Sequence, residues 1–103
     1  MHIVHSDPNR EGQLFVIGIF FDLEKGGKVE SLFLRSLGID KLDLDSTKVD
    51  VSLLNMEEDL FLNFDSDTEI YNYKGSLTTP PCSETVNWVV IDKAQTISKE
   101  QLA

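Results

Sequence analysis

Leu14 to Phe21 (LFVIGIFF) imposes the strongest condition on how this chain folds. A run of this length, rich in β-branched and aromatic residues, reads as a strand that is apolar on both faces. Such a strand belongs in the middle of a sheet, with a neighbour on each edge. It is far too short to span a bilayer. No basic segment and small-residue cleavage site bracket it, so it does not read as a signal peptide. Candidate neighbours are Met1–His5, which alternates, Ile70–Tyr73, which ends at Gly75, and Thr85–Ile91 (TVNWVVI), the cleanest strand pattern in the chain. Turn formers fill Ser6–Gln13 and Lys25–Lys28. Val29, Leu32, Phe33 and Leu37 recur at helical spacing and Gly38 supplies a stop, which predicts one amphipathic helix.

The remaining segments are less regular. Asp40–Asp50 reads as a polar loop, with Leu42 and Leu44 spaced for a short strand, and Val51–Leu54 as a brief apolar piece. Met56–Leu62 predicts one or two helical turns and Phe64–Thr68 an acidic loop. Ser98 and Gln101 form a capping box, which announces a helix. The fold class is therefore mainly β (α+β), a mostly antiparallel sheet with a short surface helix. The strands are too few to flank Leu14–Phe21 generously. The first element opens mid-strand and the last helix is only beginning, so the chain reads as part of something larger.

Charge narrows the function classes. With 18 Asp+Glu against 9 Lys+Arg, the net charge is −9 at pH 7 with His neutral. Nucleic-acid affinity comes mainly from neutralising phosphates with Lys and Arg, so a nucleic-acid partner is not expected. Adhesion to an anionic membrane fails for the same reason, and no membrane insertion is expected. An apolar fraction of 41% is enough for a globular core rather than an acidic disordered tail. The single cysteine, Cys82, excludes an internal disulfide framework and a four-cysteine zinc site.

The most specific stretch is Tyr71–Trp88, YNYKGSLTTPPCSETVNW. Two hydroxyl residues followed by two prolines, set between two strands, make a stiff loop that cannot pair with a sheet. The prolines fix φ and remove two donors, and Thr79 is biased to extended geometry. On its own a TTPP sequence is an ordinary proline-stiffened turn.

The whole string resembles the α-class carbonic anhydrases. In that family Tyr-x-Gly-Ser-Leu-Thr-Thr-Pro-Pro is followed by a Glu and then a Trp-bearing strand, here Tyr73, Gly75–Pro81, Glu84 and Trp88. Met1–His5 is similar to the family's Glu-Leu-His-Leu-Val-His strand without its leading Glu. Leu14–Phe21 is similar to the next strand, and Ile97–Gln101 to the family's Ile-Ser-x-x-Gln. The resemblance runs along nearly all of the chain but covers less than half of a family domain. It implies a partial α-carbonic anhydrase fold over residues 1–103, a large twisted sheet lacking the N-terminal portion and the last strands.

The resemblance implies reversible hydration of CO2 to bicarbonate by a zinc-bound hydroxide, with Zn2+ as cofactor and CO2 and bicarbonate as small-molecule partners. It assigns His2 to the third zinc-binding histidine. Strand periodicity puts His2 and Val4 on one face and Ile3 and His5 on the other, so His2 and His5 do not share a metal. His5 keeps the ordinary reading of a strand histidine, partly buried and hydrogen-bonded, and by resemblance it supports the site from beneath. A catalytic zinc takes three protein ligands and an open position. The family's other two histidines lie on an upstream His-x-His strand that this sequence does not contain. Also missing are a Glu two positions before His2 and an upstream proton-shuttling histidine. Activity of these residues alone is accordingly not expected.

By the same resemblance, Thr78 accepts the hydroxide proton and orients the lone pair, and Thr79 contacts bicarbonate. Val4, Val16, Leu77 and Trp88 form the apolar wall for CO2. Without the family, ordinary core packing explains these four equally well. Pro81 is a cis-proline by resemblance. Cys82 resembles a cysteine of secreted members that pairs with one near the N-terminus, which implies a secreted or lumenal parent, the alternative being a free buried thiol. Two rival readings stand beside the enzyme. One is a non-catalytic, carbonic anhydrase-like binding module, and the other a truncated product whose open strand edges would aggregate.

Overall fold

A computed structural model of the chain describes residues 1–23, 26–39, 48–49, 51–52 and 54–103. Strands β1 (His2–Ser6), β2 (Leu14–Asp22), β3 (Glu69–Gly75) and β4 (Val86–Thr96) form a four-stranded sheet in the order β1-β2-β4-β3. Helices α1 (Leu32–Ser36), α2 (Met56–Asp59) and α3 (Lys99–Leu102) are short, and a 3-10 turn covers Phe61–Asn63. The fold is mainly β with small helices, as the sequence implies. The position expected for Leu42 and Leu44 lies outside the described residues, as does Leu53 of the brief apolar piece.

The chain divides into two compact units. Residues 1–20 with 68–94 form the first, and residues 21–67 with 95–103 the second.

In the first unit, β1 pairs antiparallel with β2 and β3 antiparallel with β4. The central pair runs the other way. Leu14 N–H donates to the Thr85 carbonyl, and further along both strands Gly18 lies beside Val89 and Val90, so β2 and β4 are parallel. Parallel neighbours need a long crossover, which the residues between β2 and β4 supply. β2 thus sits between two strands, as its composition requires. Its two-sided burial is only partial: Val16 is 1% exposed but Phe20 is 56% exposed. Strand order gives a strand its edge partners, whereas covering its faces takes a second layer. The core of this unit joins Val16, Val86 and Trp88, with Leu14 and Leu77 packed against them. β4 runs on to Thr96, beyond the predicted end at Ile91.

The second unit is organised by caps. Ser31 Oγ accepts from Leu34 N–H at 3.2 Å and starts α1. Gly38, at φ +69°, closes it by donating its N–H to the Arg35 carbonyl at 2.8 Å. The apolar stripe read from the sequence needs one correction. The helix begins only at Leu32, so its buried pair is Phe33 and Leu34, and Leu32 is 57% exposed. Asn55 caps α2, whose first turn holds Glu57, Glu58 and Asp59, acids that suit a helix N-terminus. The Ser98–Gln101 capping box is present on α3. Gln101 also reaches Ser31: its Oε1 accepts from Ser31 N–H at 2.7 Å and its Nε2 donates to the Ser31 carbonyl at 2.9 Å. Among the described residues no helix is long and apolar enough to cross a membrane.

Candidate functional site

The loop between β3 and β4 is held by its own backbone. Leu77 N–H donates to the Ser83 carbonyl at 3.0 Å, and Cys82 N–H to the Thr79 carbonyl at 2.9 Å. The Pro80–Pro81 bond is cis and Cys82 takes φ 55°. From β4, the Trp88 indole N–H donates to the Ser76 carbonyl at 3.0 Å, fastening the start of the loop to the sheet. Two prolines that cannot join a ladder, bracketed by these bonds, present Thr78 and Thr79 on an exposed turn.

Beside this loop lies an open cleft of about 500 Å³. His2 from β1, Trp88 from β4 and Thr78 from the loop all line it. The His2 and Trp88 rings meet edge to face, with centroids 4.9 Å apart and planes at 74°. Tyr73 and Trp88, paired across β3 and β4, are stacked with ring planes nearly parallel at 13° and centroids 6.4 Å apart. Of the four residues assigned to the apolar wall, only Trp88 faces the cleft. Val16 and Leu77 belong to the packed cluster with Val86, and Val4 is 58% exposed opposite Val16. Thr79 is exposed on the loop and outside the lining.

Two expectations about single residues change. His5 is exposed, with its ring 5.7 Å from that of Phe15, and is not the partly buried histidine that was expected. An edge strand leaves such a side chain open to water. Cys82 is exposed, which removes the buried-thiol reading. Sequence reasoning did not pick out Gly18, Phe20, Tyr73 and Gly75 as cleft residues. Tyr73 and Gly75 were visible as parts of the motif, but only the strand order brings Gly18 and Phe20 alongside them.

One side chain in this unit has a displaced titration. The Tyr71 hydroxyl donates to Glu69 Oε2 at 2.8 Å. That bond, and then the negative charges of Glu69 and Asp92, hold the phenol above its ordinary pKa.

A catalytic zinc of the implied kind takes three protein ligands. The chain has two histidines, and alternation on β1 sends His5 away from the His2 face. Among the described residues no group of three His, Cys, Asp or Glu side chains gathers at one point. Of the two histidines, His2 lines the cleft and His5 does not, so among the described residues the cleft holds a single imidazole.

Comparison with known proteins is consistent along the whole chain. The sequence profile of the family described as eukaryotic-type carbonic anhydrase matches residues 1–103. A Caenorhabditis elegans protein provisionally named carbonic anhydrase 3 is 39% identical over 102 residues, covering 99% of this chain and 39% of its own length. Alpha carbonic anhydrase 3 of Arabidopsis thaliana is 37% identical over 104 residues, covering 99% of this chain and 34% of its own length. Among solved structures, the alpha-carbonic anhydrase of Thermovibrio ammonificans in complex with the inhibitor sulfanilamide superposes with a TM-score of 0.71 at 32% identity. That match covers 98% of this chain and 41% of the other. The chain thus spans well under half the length of these relatives. With the profile matched from end to end and the sheet superposing on a solved member, this chain belongs to the eukaryotic-type carbonic anhydrase family.

Proposed function

We propose that these residues form one wall of a site for the reversible hydration of CO2 to bicarbonate, as a portion of an α-carbonic anhydrase domain. The observation that carries this reading is the convergence of His2, Thr78 and Trp88 on one cleft. His2 contributes one imidazole, and the remaining ligands come from polypeptide outside these 103 residues. Thr78 presents a hydroxyl that orients the attacking oxygen, and Thr79 a hydroxyl that contacts bicarbonate. Trp88 provides a dry face for a nonpolar gas, backed by Val16 and Leu77, with Val4 at the margin. His5 supports β1 from the other face. A non-catalytic binding module draws no support from the relatives, which are named as carbonic anhydrases.

Two experiments test the proposal. Calorimetric titration of the 103-residue chain with Zn2+ is expected to show no tight stoichiometric site, and its CO2 hydration to stay at the buffer rate. Tight one-to-one binding would overturn the claim that one histidine is insufficient. In a longer chain that supplies the other ligands, Thr78→Ala is expected to lower kcat/KM for CO2 by about 10²-fold through lost orientation. An unchanged rate would remove Thr78 from the site.

A further inference from the structure

We infer that Trp88 is a positioning residue that orients the imidazole of His2, and that Gly18 and Gly75 are the openings that let it do so. The inference deepens the reading of His2 as the imidazole offered to the cleft, and the strand order supplies its logic. His2 lies on β1 and Trp88 on β4, with β2 between them. Adjacent strands are about 4.8 Å apart, so the two backbones are separated by roughly 10 Å. A side chain on β2 would normally stand between the two rings. The β2 residue opposite His2 is Gly18, and a Cβ there would lie 3.9 Å from Trp88 Cζ3. The indole therefore passes over a bare stretch of backbone to meet the His2 ring at 4.9 Å between centroids. The ring contact is thus made across an intervening strand at the position where that strand carries no side chain.

The other side of the indole is equally confined. A Cβ on Gly75, in β3, would lie 3.0 Å from Trp88 Cδ1 and 3.3 Å from Nε1, closer than side chains ordinarily pack. Without that Cβ, Nε1 reaches the Ser76 carbonyl at 3.0 Å, and Tyr73 lies nearly parallel to the indole plane. Trp88 is itself buried and packed with Val16 and Val86. The ring is thus held at the β3 side by a hydrogen bond, beneath by the core, and at the β1 side it meets an exposed histidine. Trp88 is the anchored member of that pair, and His2 is the exposed one. Because the anchor is the Ser76 carbonyl, two residues before Thr78, the indole ties the histidine to the start of the threonine loop.

The test is NMR on the isotope-labelled 103-residue chain, without metal. Wild type is expected to show cross-relaxation between the His2 and Trp88 ring protons. Its three-bond couplings at His2 should report one dominant χ1 rotamer. Absence of the cross-relaxation, or averaged couplings in wild type, would overturn the inference. Trp88→Phe keeps an aromatic core side chain but loses the reach and the N–H, so loss of the dominant rotamer is expected while the sheet amide spectrum persists. Retention of wild-type couplings would overturn the positioning role. If that variant loses the sheet, Gly75→Ala displaces the ring without removing it and is expected to average the same couplings. Gly18→Ala, whose Cβ would meet its neighbours at ordinary contact distances of 3.4 Å or more, reports whether a methyl under the contact suffices. A fall in the dominant rotamer supports the bare-backbone requirement, and an unchanged rotamer removes Gly18 from it. The couplings are read without metal, so they stand or fall independently of whether His2 serves as a ligand in a longer chain.

Discussion

Tyr71 shows what a short side-chain contact does when the group is exposed at the surface. Its phenol donates to Glu69 Oε2 and faces the charge of Asp92, so the neutral form is favoured in the folded chain. A raised phenol pKa contributes stability that is present below the unfolded value and lost as pH rises through the folded one. Glu69→Gln removes the carboxylate, and the phenolate absorbance of Tyr71 is then expected to appear at lower pH than in the parent. An unmoved titration would show that the hydrogen bond does not persist in solution. Among the histidines, the opposite orientation of His2 and His5 was legible from alternation alone, because a strand's period of two is a property of local backbone. The exposure of His5 was not, because it depends on β1 lying at the sheet edge.

At the scale of elements, caps carry the second unit. Ser98 and Gln101 are three residues apart and their box could be read directly from the sequence. The second task of Gln101 could not, since it bonds both backbone groups of Ser31, 70 positions away. Ser31 is buried, so truncating Gln101 leaves its N–H without that partner, while its carbonyl still accepts from Arg35 N–H. Gln101→Ala is expected to destabilise the chain by about 2 kcal/mol, read from the urea midpoint, with Ser98→Ala costing about 1 kcal/mol. Equal effects would mean that the tie to Ser31 contributes nothing beyond the cap. The α1 stripe failed for a related reason. Val29, Leu32, Phe33 and Leu37 fit a helical period, but the Ser31 cap starts the helix too late for that face to form.

Across the whole molecule, charge of one sign prevails. A net −9 on 103 residues repels itself, and salt screens that repulsion. The urea midpoint is therefore expected to rise as NaCl is raised from low ionic strength, and a flat or falling response would show that favourable ion pairs outweigh the repulsion. The described ion pairs, Arg35–Glu30 and Arg10–Asp7, are exposed and contribute little. Sequence by itself determined the strand identities, the Ser98–Gln101 capping box and the Gly38 stop, the opposed faces of His2 and His5, the stiff Thr78–Pro81 loop and the family. All of these depend on residues near one another along the chain, or on a long collinear motif. Tertiary structure alone decided the order β1-β2-β4-β3, the parallel central pair, the exposure of Phe20 and Cys82, and the two glycines beside Trp88. Those depend on which strands become neighbours, and periodicity within one strand carries no information about what lies across its edges or over its faces.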